Sequence, residues 1–189
     1  MIVIIVEGQG DEEAIPVLVR KLLQTRGSYP TIATHRVKRN KVVKPGELEK
    51  AVEFASLDPA CSGILVVLDA DDDCPATMGP LLAARATGAA THKTVGLVLA
   101  NTEFESWAIA GVEGLRGRRG VAPDAECIGD PDAITSPKGS LERMMAGRSY
   151  LETDDQAAFA QLLDHDLART RSRSFRKFEQ ELLRVAGAA

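Results

Sequence analysis

The chain has 189 residues, 44% of them hydrophobic, which is enough to bury one core without disulfide or metal support, so a single domain over residues 1–189 is expected. Its formal net charge of −4 excludes a globally basic nucleic-acid coat, though not local basic tracks. The three cysteines, Cys61, Cys74 and Cys127, are widely spaced and form no Cys-x-x-Cys pair, and His35, His92 and His165 lack i, i+4 spacing; cytosolic thiols fit best, and a His-based zinc centre has little support.

The apolar start Ile2-Val3-Ile4-Ile5-Val6 has no basic flank and stops at Glu7. That is too short for a signal peptide or a membrane span, so it reads as a buried strand of a soluble, cytoplasmic protein. From Asp11 to Arg26, Ala14, Val17, Leu18, Leu22 and Leu23 mark one helical face, and a second strand is expected over residues 31–37 after the Gly27-Ser28-Tyr29-Pro30 turn. Pro45-Gly46 opens a helix through Leu48, Val52 and Phe54, and residues 63–68 form a continuous apolar strand of the doubly covered kind. A helix near residues 77–87 and a strand over 94–99 follow, after which Asn101 or Thr102 caps a helix carrying Glu103, Glu105 and Trp107.

Four strands alternating with helices predict an α/β fold with a mostly parallel four-stranded sheet flanked by helices. This core covers about residues 1–111, and a helical C-terminal extension covers about 112–189. There Ser136-Pro137-Lys138 reads as an N-cap with proline at the first helical position, and Thr153-x-x-Gln156 as a capping box.

Side chains just past the carboxyl ends of parallel strands converge on the ligand crevice. Glu7 follows the first strand and Asp69 the third. In an extended segment Asp69, Asp71 and Asp73 line one side, with Asp72 facing away. Hard cations take oxygen ligands, so Glu7 and the aspartate run suit Mg²⁺ or Mn²⁺, and a bound cation relieves their mutual repulsion. The bland alternative is a solvated acidic turn. Asp11, Glu12, Glu13, Glu103 and Glu105 lie at helix N-termini, where acids complement the helix dipole; that accounts for Glu12 and Glu13 fully and for Glu105, beside Trp107, less well.

Val6-Glu7-Gly8-Gln9-Gly10-Asp11 resembles the strand–Glu–Gly opening of Toprim domains, and Leu68-Asp69-Ala70-Asp71-Asp72-Asp73 resembles their Asp-x-Asp motif. Together with Phe104-Glu105-Ser106-Trp107, Ser136-Pro137-Lys138-Gly139 and the segment from Arg171 to Lys177, the chain resembles Toprim-like proteins related to overcoming-lysogenization-defect (OLD) nucleases. The resemblance implies a Toprim-like, Rossmann-like fold and Mg²⁺-dependent phosphodiester chemistry, with Glu7 as ligand or acid/base and Asp69 and Asp71 as metal ligands. Asp11, Asp73 and Glu105 are candidates for a second ion. It also implies a place in phage defence beside an ATPase partner. Asp11 stands where OLD-type sequences often carry the longer Glu, and no tyrosine is placed as a topoisomerase nucleophile, which argues against strand passage.

Residues 35–44 hold Arg36, Lys38, Arg39, Lys41 and Lys44 without one acid. They read either as a phosphate track for nucleic acid, DNA ahead of RNA, or as a strand edge protected by lysines. Arg171, Arg173 and Arg176 form a second basic stretch suited to phosphate contact or to internal pairing. Arg116, Arg118 and Arg119 lie in a glycine-rich loop that either closes over substrate or is merely solvated. Lys138, at a helix start, is expected to resist protonation and to stabilise an oxyanion; the alternative is a surface lysine.

Three functions fit: a metal-dependent nuclease, a non-catalytic metal-binding module of an ATPase, and a haloacid-dehalogenase-like phosphatase. Against the last, Asp69-Ala70-Asp71 is not followed by Thr and Glu7 would have no role.

Overall fold

Each of the four apolar runs carries aliphatic residues on both faces, and burying both faces requires helices above and below. The computed structural model of the chain describes residues 1–188, with Arg39 and Asn40 described in backbone only. The runs become β1 (Ile2–Val6), β2 (Ile32–Arg36), β3 (Gly63–Asp69) and β4 (Thr94–Ala100). They form one all-parallel sheet in the order β2-β1-β3-β4, with Ile4 registered on Thr34 and on Leu65, and Val66 on Leu97.

The helices are α1 (Gln9–Gln24), α2 (Arg39–Val42), α3 (Glu47–Ser56), α4 (Pro75–Ala89), α5 (Phe104–Ala110), α6 (Pro137–Arg143), α7 (Glu152–Leu162), α8 (His165–Arg171) and α9 (Arg173–Ala186). Alternate strand residues sort into two cores. Val3, Ile5, Val66, Leu97 and Leu99 pack under α3 and α4. Ile4, Val6, Leu65, Val67 and Val98 share a larger cluster with residues of α1, α5, α7 and α9, centred on the fully buried Trp107. The indole donates to Ser174 Oγ at 2.8 Å and meets Phe175 edge-on and Phe178 at a tilt. The C-terminal helices are thus a covering layer of the sheet, with α7 along α1 and α9 across β3 and β4. No helix among the described residues is long and apolar enough to cross a membrane.

Two of three expected caps are corrected. Asn101 and Thr102 do not cap α5; their side chains donate to the carbonyls of Asp132 and Ile134, and Glu103 holds the N-cap position. Thr153 lies inside α7, whose N-cap is Leu151, and its hydroxyl meets Asp154 instead. Ser136 does sit at the N-cap of α6 with Pro137 first in the helix, but its side chain makes no capping bond.

Candidate functional site

The chain leaves β1 through α1 towards β2, then crosses back through α3 to β3 on the other side of β1. Adjacent strands β1 and β3 therefore flank the switch point of the sheet, where loops diverge and a crevice opens at the carboxyl ends. Glu7 and Asp69 stand there. The amide of Asp69 donates to Glu7 Oε1 at 2.7 Å, and the amide of Phe104 donates to Asp69 Oδ1 at 2.9 Å, tying β1, β3 and the start of α5 together.

Asp11 and Glu105 enter the same crevice from α1 and α5. Asp11 reaches back to the Gly8 amide at 3.1 Å, one half of a capping box, and is 7% exposed. Glu105 is fully buried; its Oε1 accepts from Tyr150 at 2.6 Å and from Gln156 Nε2 at 3.0 Å. Asp11 Oδ1 and Glu105 Oε2 are buried with no hydrogen-bond donor among the described residues. Gly10 permits this packing: a Cβ there would lie 1.8 Å from Gln156 Oε1 and 3.1 Å from the carbonyl of Glu152.

Crowding of carboxylates out of water shows in their proton affinities. Burial, then the charges of Asp11, Glu105 and Glu7, push Asp69 well above the usual carboxylate range. Burial raises Asp11 to about 6, against the pull of the Gly8 amide and Lys138. Glu105 is raised by burial, opposed by the Tyr150 hydroxyl, Lys138 and Gln156.

Lys138, in the first turn of α6, is a cation of the site, paired with Glu152 at 3.0 Å and Glu103 at 3.3 Å. It does not resist protonation as expected. Burial works against its charge, but Glu105, Glu152 and Glu103 outweigh burial and raise its proton affinity. A cavity of about 400 Å³ opens beside it, lined by Lys138, Tyr150 and Glu152 among others.

The aspartate run does not extend as a comb. The strand ends at Asp69; Asp71 takes a left-handed backbone with φ of 51°, its amide bonds the Thr102 carbonyl, and the Asp73 amide bonds that of Ala70. The run is a tight turn with Asp71 and Asp72 exposed and Asp73 half-buried. Among the described residues, no three His, Cys, Asp or Glu side chains form a ready-made ion cage.

The basic residues divide. Arg36 ends an edge strand and pairs with Glu12 at 3.5 Å; Lys38 and Lys41 are exposed, and the side chain of Arg39 lies outside the described residues. Arg171 and Arg176 are corrected to internal roles. The first joins the Ala110 carbonyl to Glu113, and the second caps α8 through the carbonyls of Arg169 and Thr170; Arg173 alone of that trio is exposed. Arg116 and Arg119 are likewise anchored, to the Ala125 carbonyl and to Asp155.

Sequence reasoning missed Tyr150 and Gln156 as partners of Glu105. Gln156 was seen only as a cap, and neither carries a spacing signal that points 45 or 51 residues back along the chain. No curated protein and no solved structure matches the chain. Residues 6–183 match the model of the domain of unknown function DUF4276, and the chain belongs to that family.

Proposed function

We propose that the protein is a Toprim-like, Mg²⁺- or Mn²⁺-dependent phosphodiester hydrolase acting on nucleic acid, DNA ahead of RNA, in phage defence with an ATPase partner. The observation that carries this reading is the convergence of Glu7, Asp11, Asp69 and Glu105 at the switch point, with buried oxygens of Asp11 and Glu105 lacking donors among the described residues. An acid cluster kept dry in this way is costly unless a cation joins it. The residues fit a hard divalent ion: Glu7, Asp69 and Asp71 would hold the first, and Asp11, Asp73 and Glu105 a second. An incomplete protein cage suits Mg²⁺, which keeps water and substrate phosphate among its ligands. Bound there, the metal supplies Lewis-acid polarisation of a phosphate and a water of lowered pKa.

The protein's own groups do the rest. Tyr150 and Gln156 fix one oxygen of Glu105 so that the other faces the crevice. Lys138 stays protonated and carries the positive charge nearest the cavity, where it would stabilise an oxyanion once drawn from Glu152. Arg36, Lys38, Lys41 and Arg173 are among the exposed cations available to a phosphate backbone.

The test is cleavage of supercoiled plasmid and of single-stranded RNA by purified protein with Mg²⁺ or Mn²⁺. Loss of activity in an Asp69→Ala, Asp71→Ala double variant is expected, and full activity in that variant refutes the site. Metal binding without cleavage by the wild type would instead support the partner-module reading.

A further inference from the structure

Away from the acid crevice, a groove of about 710 Å³ runs along the outer edge of β4. β4 ends the sheet and is hydrogen-bonded on one side only, to β3. Two side chains occupy the ends of the free edge in the manner of a missing strand. Arg184 Nη2 donates to the Val95 carbonyl at 2.7 Å, and the Asn101 amide donates to Ser174 Oγ at 3.3 Å. Alternation along a strand turns the amides and carbonyls of Leu97 and Leu99 the same way as that of Val95. No hydrogen bond meets them among the described residues. An open edge is a template for another strand.

The walls differ in chemistry. On the α4 side the groove is lined by Ala76, Gly79 and Ala83, which leave room above Leu97 and Leu99. On the α9 side stand Arg173, Lys177 and Arg184 against one outward acid, Glu181, which already pairs with Lys177 and Arg184. Asp132 also borders the groove, but its carboxylate is turned inward onto the hydroxyls of Ser172 and Ser174 and the amides of Arg173 and Ser174. A strand in this slot points alternate side chains at α4 and at α9.

We propose that the groove receives an extended segment of a partner protein, in which apolar residues facing α4 alternate with acidic residues facing α9, and which pairs with β4 as a fifth strand. About three residues, at about 3.3 Å each, span the free edge from Leu97 to Leu99, between the positions that Arg184 and Ser174 already fill. A second copy of the chain is a poorer occupant. Two β4 edges paired about a two-fold axis bring α9 beside α9, so that Arg173, Lys177 and Arg184 meet their like.

The probe is a fluorescein-labelled heptapeptide of alternating glutamate and valine, titrated with the full chain and read by fluorescence anisotropy. Saturable binding is expected. N-methylation of alternate amides should abolish it in one frame and be tolerated in the other, because only one set of amides faces β4. An alternating lysine–valine peptide should not bind, and Arg173→Glu with Lys177→Glu should weaken binding about tenfold. Gly79→Phe, at a position where an added Cβ meets nothing, should fill the groove and abolish binding without lowering the melting temperature. Absence of saturable binding, equal binding of both methylated frames, or equal binding of the lysine peptide overturns the proposal. So does a dimer in sedimentation that Gly79→Phe abolishes while the peptide fails to bind, since the edge would then belong to a second copy.

Discussion

Replacing Asp11 by Asn in metal-free protein measures what the acid cluster costs the fold. The folded carboxyl holds its proton up to about pH 6, whereas the unfolded chain releases it near the ordinary value of 3.8. At about 1.4 kcal/mol per tenfold change in proton affinity, ionised Asp11 destabilises the native state by about 3 kcal/mol. The sign follows from which state binds the proton more tightly. The penalty is absent below the unfolded value, grows between the two, and is complete above about pH 6. Asparagine is isosteric, keeps an oxygen for the Gly8 amide and cannot ionise. In EDTA at pH 7.5 the variant should therefore be more stable by about 3 kcal/mol, or about 6–12 °C in Tm for a domain of this size. At pH 4 the gain should shrink to less than about 1 kcal/mol. Excess Mg²⁺ should stabilise the wild type more than the variant, by about 2.7 kcal/mol at a hundredfold excess over Kd, and close the gap. Calorimetry at both pH values, with and without metal, checks each arm. A variant no more stable than wild type at pH 7.5 in EDTA, or equally stabilised at both pH values, would refute the electrostatic reasoning.

Lys138→Met should lower cleavage by about 10²–10³-fold, because it removes the only cation paired with Glu103 and Glu152 among the described residues; plasmid nicking rates measure it. Tyr150→Phe leaves Glu105 Oε1 with Gln156 alone, and calorimetric titration should show Mn²⁺ affinity falling about 10–100-fold while circular dichroism is unchanged. Burial, reinforced by Lys21 and Arg169, holds the His165 imidazole down to about 4, so it stays neutral in the fold while the unfolded chain takes up a proton near 6.5. Stability should therefore fall as pH drops from 6.5 towards 4, by about 1–2 kcal/mol after allowance for solvent screening, and His165→Phe should flatten that slope in urea denaturation.

The sheet was legible because doubly covered strands leave an unambiguous trace: Ile2–Val6 and the run before Asp69 are apolar at every position, and no helix or half-buried strand among the described residues reads that way. Strand-end geometry then sufficed to pair Glu7 with Asp69, since neighbouring parallel strands deliver their next residues to one crevice. The alternating aspartates misled because a side-chain period of two holds only while the strand lasts, and nothing local announces that it stops at Asp69. The left-handed turn at Asp71 is fixed from outside, by the bond of its amide to the Thr102 carbonyl on the neighbouring loop. The same limit applies to cations. Arg171 and Arg176 look like a phosphate-binding run, yet their partners are Glu113 and the end of α8, placements that depend on how helices dock.

The site is divided along the chain in a way that bears on how it works. Its carboxylates, from Glu7 to Glu105, all come from the first part of the sequence, while the groups that hold them in check, Lys138 on α6, Tyr150 just before α7 and Gln156 on α7, come from the C-terminal part. Without those helices Glu105 would lose both hydrogen-bond donors and its nearby ammonium, and a fully buried carboxylate with no partner is not sustainable at neutral pH. The C-terminal layer is therefore part of the electrostatic design as well as a cover for the sheet. Lys138 lowers the proton affinity of Asp11, Asp69 and Glu105, and it is itself shared with Glu103 and Glu152. A divalent ion would relieve the repulsion and burial that raise the proton affinities of Asp11, Asp69 and Glu105, which is why stability in EDTA and stability in Mg²⁺ are the paired measurements on which the metal reading stands or falls.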